Sequence, residues 1–272
     1  MDVVRCAGLT KRYGSTTVVD RLDLSVAPGE IVGFLGRNGA GKTTTLRMLL
    51  GLIRPDAGSA WLFGDPVPCP DRLPAVGAMI EEPAFYPWLT GTANLTVLAD
   101  TGPPVPADAI TRALERAGLA EAAGTKVKTY SQGMRQRLGL AAALLREPRL
   151  LLLDEPANGL DPPGLREFRE TLRGLAGAGS AILLSSHLLG ELDQICDRVV
   201  LIDGGRLIAT VRPGELPAPR STITVRSADR DRATSLLAAD GIEVKAMGPE
   251  RPSLEDWFIT LTEKDDHASA PR

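Results

Sequence analysis

Two short stretches carry residue types that do chemistry on phosphate. GRNGAGKT, Gly36 to Thr43, fits the spacing G-x-x-x-x-G-K-[ST]. Glycines let the backbone curl until successive N–H groups point inward at phosphate oxygens, and a following helix adds the positive end of its dipole. On this reading Gly36, Arg37, Asn38, Gly39, Ala40, Gly41, Lys42, Thr43 and Thr44 would surround the phosphates of a nucleoside triphosphate. Lys42 bridges the β- and γ-phosphates, and the Thr43 hydroxyl ligates Mg2+. The bare spacing also arises by chance. The context makes it specific: an apolar strand (IVGFL) before it and a helix (TTTLRMLL) after it.

The second stretch is LLLLDEPANGLD, Leu150 to Asp161, where a fully apolar segment runs into two adjacent carboxylates. Asp and Glu ahead of a helix are favoured by its dipole alone, so a plain helix start is one reading. The phosphate loop offers another. A buried strand lying beside the phosphate-loop strand would end in Asp154, which holds Mg2+ through water. Glu155, one residue further, would orient and deprotonate the water that attacks the γ-phosphate.

With these motifs in place, the sequence resembles the ATP-binding subunits of ABC transporters, and the resemblance spans Tyr13 to His187. SQGMRQRL, Ser131 to Leu138, is similar to the family's signature motif just upstream of the DEP strand. NGLD, ending at Asp161, is similar to its D-loop. His187, after SAILLSS, matches the switch histidine, and Tyr13 in KRYG the aromatic that stacks on adenine. The resemblance implies a P-loop NTPase cassette of α/β class: a mostly parallel sheet, antiparallel N-terminal strands and a helical subdomain. It makes Lys42, Glu155 and His187 catalytic, and Thr43, Glu81 and Asp154 the metal ligands. Ser131, Gln132 and Gly133 would touch the ATP of a second such subunit, read as a homodimer, head to tail with two ATP between. The residues agree, since a serine at a helix start, a glycine N–H and a helix dipole converge on an anion. Taken singly, Ser131 is also an ordinary N-cap, His187 a polar residue at a strand end and Tyr13 a packing residue.

Two departures stand out. Gln132-Gly133 replaces the family's Gly-Gly, with Met134 where a glutamine is usual. In GAMIEEPAFYP, Glu81 stands where the family offers a glutamine to Mg2+ and to the membrane subunit. The EEPAFYPWLTG run, SQGM and the LEDWFITLT ending are similar to one branch: ATPases of drug, bacitracin or lipid exporters that work with a separate ABC-2 type permease. That implies a cytoplasmic protein, peripheral on the inner face of the membrane. Phe85, Tyr86 and Trp88 either pack in a core or line a groove for that partner.

Positioning these residues takes alternating strands and helices. DVVRCAGL and TTVVDRLDLSV read as strands, then IVGFL and a helix from Lys42 to about Leu52. Ala60 to Gly102 is rich in proline and glycine and reads as loops. Helices follow between Asp108 and Glu147, then RLLLL (strand), PGLREFRETLRGLA (helix), SAILLSS (strand), HLLGELDQIC (helix) and a hairpin turning at Gly204-Gly205. Such alternation implies a mostly parallel sheet covered on both faces. The expected organisation is an ATPase cassette over 1–214, with a helical subdomain at about 83–148. A proline-rich linker, a small β-α-β-α domain over 220–264 and a flexible tail at 265–272 complete it. In that last helix Leu254, Trp257, Phe258 and Leu261 form one apolar face.

Composition narrows the alternatives. With 43% apolar and 24% charged residues, the 272-residue chain has enough apolar side chains for a core. A net charge of -3 argues against broad nucleic-acid binding. The apolar runs are too short to span a bilayer, and the N-terminus does not read as a secretory signal. Cys6, Cys69 and Cys196 fit no metal spacing and read as reduced thiols. A soluble ABC-type ATPase acting on nucleic acid or the ribosome lacks its usual features here: no heptad run, no CxxC, one phosphate loop. A kinase or GTPase would leave SQG and SSH unexplained.

Overall fold

The computed structural model describes residues 1–213 except Glu82, together with Arg232, Ala233, Ser235 and Leu236. Apart from those last four residues, the expected C-terminal domain, the tail and most of the linker lie outside the described residues. The chain divides into two compact units, Met1–Glu215 and Leu216–Arg272. The first carries the strands and helices that position the site.

Two sheets share one core. In the first, β1 (Val4–Tyr13), β2 (Thr16–Val26), β4 (Ala57–Leu62) and the short β5 (Asp65–Pro66) pair antiparallel in the order β2-β1-β4-β5. The second has the order β10-β9-β3-β8-β7-β6. Here β3 (Ile31–Leu35), β6 (Val76–Met79), β7 (Leu150–Leu153), β8 (Ala181–Ser186) and β9 (Arg198–Asp203) run parallel, and β10 (Arg206–Val211) closes the edge as a hairpin. The hairpin turns at Gly204-Gly205 as expected, both with positive φ. Helix α1 (Lys42–Leu49) contributes Leu46, Met48 and Leu49 to the core that joins the sheets.

The strand order corrects one expectation. The strand bearing the two acids is not the neighbour of the phosphate-loop strand, because β8 lies between them. Buried strands of similar apolar content carry no sequence mark of which pairs with which. β7 itself is LLLL with every residue inaccessible, as a strand covered on both faces must be. Each buried leucine contributes about 1.5–3 kcal/mol, so β7 is a fixed floor under the acids at its end.

Other elements differ from expectation. β1 continues past Leu9 to Tyr13, beyond a bulge near Gly8. Its far end is held by Asp56, which accepts from the Arg12 N–H and from Lys11. The stretch read as loops holds β4, β6 and α2 (Gly91–Asp100). β6 spans four residues, too few for a visible period. Only Leu189–Leu192 of HLLGELDQIC is α-helical (α6), since the chain turns at Ile195 and Cys196 to enter β9.

Helices α2, α3 (Ala109–Arg116) and α4 (Gln132–Leu144) gather round a second core of Leu95, Leu114, Leu119, Tyr130, Leu138 and Leu145. Helix α5 (Pro162–Gly177) packs on β3 and β8. The cysteines are unpaired. Burial pushes the Cys6 thiol up to about 12, with the Asp23 charge adding to it, and burial likewise raises Cys196, so both are inert packing thiols. Among the described residues no helix is long and apolar enough to cross a membrane.

Candidate functional site

The loop after β3 curls as its glycines require. A Cβ on Gly36 would sit 2.6 Å from the Ile202 carbonyl oxygen, and one on Gly41, where φ is 101°, would sit 2.5 Å from that of Val18. Arg37, Asn38 and Gly39 form the exposed crest, and Ala40, Gly41 and Lys42 are buried beneath it. The Lys42 ammonium donates to the Gly36 carbonyl at 2.6 Å and lies 3.1 Å from Glu155 Oε1. Thr44 is half-buried in the first turn of α1.

The acids converge on this loop although a strand separates them from it. The Thr43 hydroxyl donates to Asp154 Oδ2 at 2.6 Å. Ser185, on the intervening β8, donates to Asp154 Oδ1 at 2.5 Å and accepts from the Glu155 N–H at 2.9 Å. His187 Nδ1 lies 2.8 Å from Glu155 Oε2, and against an ionised carboxylate that nitrogen carries the hydrogen. The Glu155 carboxylate thus sits between Lys42 and His187. Its backbone has φ of 48°, the left-handed region, which costs a non-glycine residue about 1–3 kcal/mol. Bonds to its carbonyl from Asn158 N–H and Gln136 Nε2, both at 3.2 Å, help hold it there. The plain helix-start reading of Asp154 and Glu155 fails: α5 begins at Pro162, and its N-cap is Asp161, which accepts from the Gly164 N–H at 3.0 Å.

The second cradle lies at the start of α4. Ser131 and Gln132 are exposed, and Ser131 caps the helix by accepting from the Met134 N–H at 3.2 Å. Gly133 packs closely on the segment before α5: a Cβ there would sit 2.9 Å from the Gly159 carbonyl oxygen. The structure does not bring Ser131 to Lys42. Tyr13 ends β1 half exposed, with the Lys11 ammonium 5.4 Å from its ring centre. Glu81 follows the strand that meets Asp154, but its carboxylate pairs with Arg47 in the last turn of α1. Tyr86 and Trp88 are exposed, with ring centres 5.4 Å apart, whereas Phe85 packs against the α2–α4 core.

Sequence reasoning misses Ser185 and Gln136. Ser185 sits inside SSH, and a serine at the end of an otherwise apolar buried strand is the available signal. Gln136 lies within SQGMRQRL but on a different face of the helix from Ser131, and no local pattern marks that.

The residues present fit ATP and a magnesium ion. Thr43 Oγ1 and Asp154 Oδ2 are adjacent oxygen donors of the hard type that magnesium prefers. Glu155 Oε1 is buried with a charge partner but no aligned hydrogen bond. Among the described residues no group of three His, Cys, Asp or Glu side chains is placed to hold a metal ion by itself.

The ABC transporter family model matches residues 19–158. The bacitracin transport ATP-binding protein BcrA of Bacillus licheniformis is 41% identical over 95% of this chain and 97% of its own length. The uncharacterized ABC transporter ATP-binding protein YdbJ of Bacillus subtilis (strain 168) is 43% identical over 77% of this chain and 69% of its own. The daunorubicin/doxorubicin resistance ATP-binding protein DrrA of Streptomyces peucetius is 41% identical over 87% and 75%. The fold is that of a solved ATP-binding subunit of an ABC transporter, at a TM-score of 0.73 and 24% identity over 96% of this chain and 99% of that one. A dimeric ATP-binding cassette, MJ0796 with ADP and Pi, superposes at a TM-score of 0.69 and 21% identity over 77% and 98%. With the phosphate loop, the paired acids and the α2–α4 insertion all in one cassette, the chain belongs to the ABC transporter family, as an ATP-binding subunit with ATPase chemistry.

Proposed function

We propose that this chain hydrolyses ATP to drive export through a separate membrane permease. The observation that carries the catalytic part is the Glu155 carboxylate held between Lys42 at 3.1 Å and His187 at 2.8 Å, at the rim of the phosphate loop. The triphosphate enters the Gly36–Thr43 loop and competes with Glu155 for the Lys42 ammonium. Thr43 and Asp154 would hold Mg2+, which would supply charge neutralisation to the phosphates. Glu81 would join them on leaving Arg47. Glu155, released from Lys42, orients the attacking water and takes its proton, while His187 fixes the other carboxylate oxygen. Tyr13 offers its exposed face to adenine.

Ser131, Gln132 and Gly133 lie away from Lys42, which supports assigning them to the ATP of a second copy in a head-to-tail dimer, with Asp161 in the loop between. The likeness to the bacitracin and daunorubicin/doxorubicin proteins supports an export role, a permease of the ABC-2 type, and a place on the inner face of the membrane. The division of the chain at Glu215 supports an accessory domain beyond a cassette that ends near residue 214.

The test is Glu155→Gln. Turnover should fall roughly 10²–10⁴-fold, the usual weight of a general base, with ATP binding kept. Turnover at the normal rate would remove Glu155 from the chemistry.

A further inference from the structure

A residue in a sparsely populated backbone conformation stays there only when its surroundings over-determine it. Glu155 is such a residue, and two side chains from outside its own segment grip its backbone. Ser185 of β8 takes its N–H, and Gln136 of α4 donates to its carbonyl at 3.2 Å. β8 is a buried strand of the main sheet. α4 belongs to the second core, and it is the helix that Ser131 begins.

From Ser131 to Gln136 is about one and a half turns of helix, so the two residues occupy different faces. Ser131 faces outward at the helix start, and Gln136 is half-buried against the strand mouth. Two further contacts join α4 to the segment after Glu155. Gly133 packs on the Gly159 carbonyl, and Arg137 pairs with Glu167 of α5 at 2.7 Å while also donating to the Gly118 carbonyl. A shift of α4 therefore reaches the backbone of Glu155 directly.

We propose that Gln136 is a positioning residue for Glu155: its amide holds the glutamate's left-handed backbone and ties the aim of that carboxylate to the seating of the helix that begins at Ser131. This rests on the reading of Glu155 as the general base and of Ser131 as the contact to a second copy's ATP. It adds a physical route by which engagement at one ATP bears on the water-activating group beside the other.

Gln136→Ala and Gln136→Glu both remove the donor, and the second keeps the side chain's length and shape. Each should lower kcat about tenfold, since misplacing a catalytic group by a fraction of an ångström has effects of this order. KM and single-chain ATP affinity should stay within about twofold of wild type, because no phosphate contact is lost. Gln136→Lys, which restores a donor of comparable reach, should recover most of the rate. In a Glu155→Gln background Gln136→Ala should add no further loss, because it acts through the group already removed. Should Gln136→Ala fold poorly, Gln136→Glu carries the test alone. Wild-type kcat in Gln136→Glu, or an undiminished extra loss on top of Glu155→Gln, overturns the proposal while leaving Glu155 as the base. Normal turnover in Glu155→Gln alone overturns both.

Discussion

The two anion cradles of this chain are built to opposite specifications. The Gly36–Thr43 loop is walled by Val18 and Ile202, its lysine is buried, and its partners Asp154, Glu155 and His187 are in contact with it or with one another. In the Ser131–Gly133 cradle Ser131 and Gln132 are exposed, and the serine caps its own helix. One is complete within a single chain. In the proposed dimer the other is half a site. On the proposed reading the buried cradle sets affinity for the nucleotide, and the exposed one, on a helix with its own small core, sets when turnover happens.

This contrast can be broken or sharpened in three ways. The largest effect belongs to the inner cradle. Lys42→Ala removes charge-assisted bonds to phosphate and should weaken ATP binding by the isolated chain roughly 10- to 100-fold. Calorimetric titration reads it, and unchanged affinity contradicts the assignment of the loop. Ser131→Ala tests the outer cradle. ATP affinity of the single chain should not move, while turnover falls about tenfold for want of one donor to the γ-phosphate. Loss of the helix cap costs about 1 kcal/mol besides, which a thermal melt records separately. Weakened binding in the single chain would mean that the two cradles are not independent.

The smallest effect concerns the base of β3, which carries the inner loop. Burial raises the Glu30 carboxyl, but the hydrogen bonds from Arg198 and the Ala27 N–H outweigh it and hold it below the ordinary value. A depressed carboxyl contributes stability above its unfolded pKa, near about 4.3, and loses it as pH falls through the folded value. Arg198→Met should therefore cost about 1–2 kcal/mol at pH 7, and the gap to wild type should narrow as pH drops below about 4. A gap independent of pH would place Arg198's role in packing.

The two cradles are not equally legible in the sequence. The inner one is written locally: Gly, Lys and Thr at fixed spacing between a strand and a helix, and Asp-Glu after four leucines. Long-range pairing is not written there. Nothing in SAILLSS says that it inserts between the two motif strands, and with that insertion goes Ser185, which bonds both acids. β6 escapes notice because four residues, one of them Gly77, carry no period. Glu81 is legible only from its position in the resemblance, whereas its partner Arg47 lies in a different element and only the folded chain joins them. Residues that act through contacts across elements, Gln136 above all, are the ones a linear reading passes over.

The most direct test of the account is the mass of Glu155→Gln in solution with Mg2+. With ATP present, the exposed cradle of one copy should close over the nucleotide held in the buried cradle of the other, and light scattering should report a stable dimer that ADP does not support. A monomer at saturating ATP, with nucleotide bound, would contradict the division of labour between the two cradles.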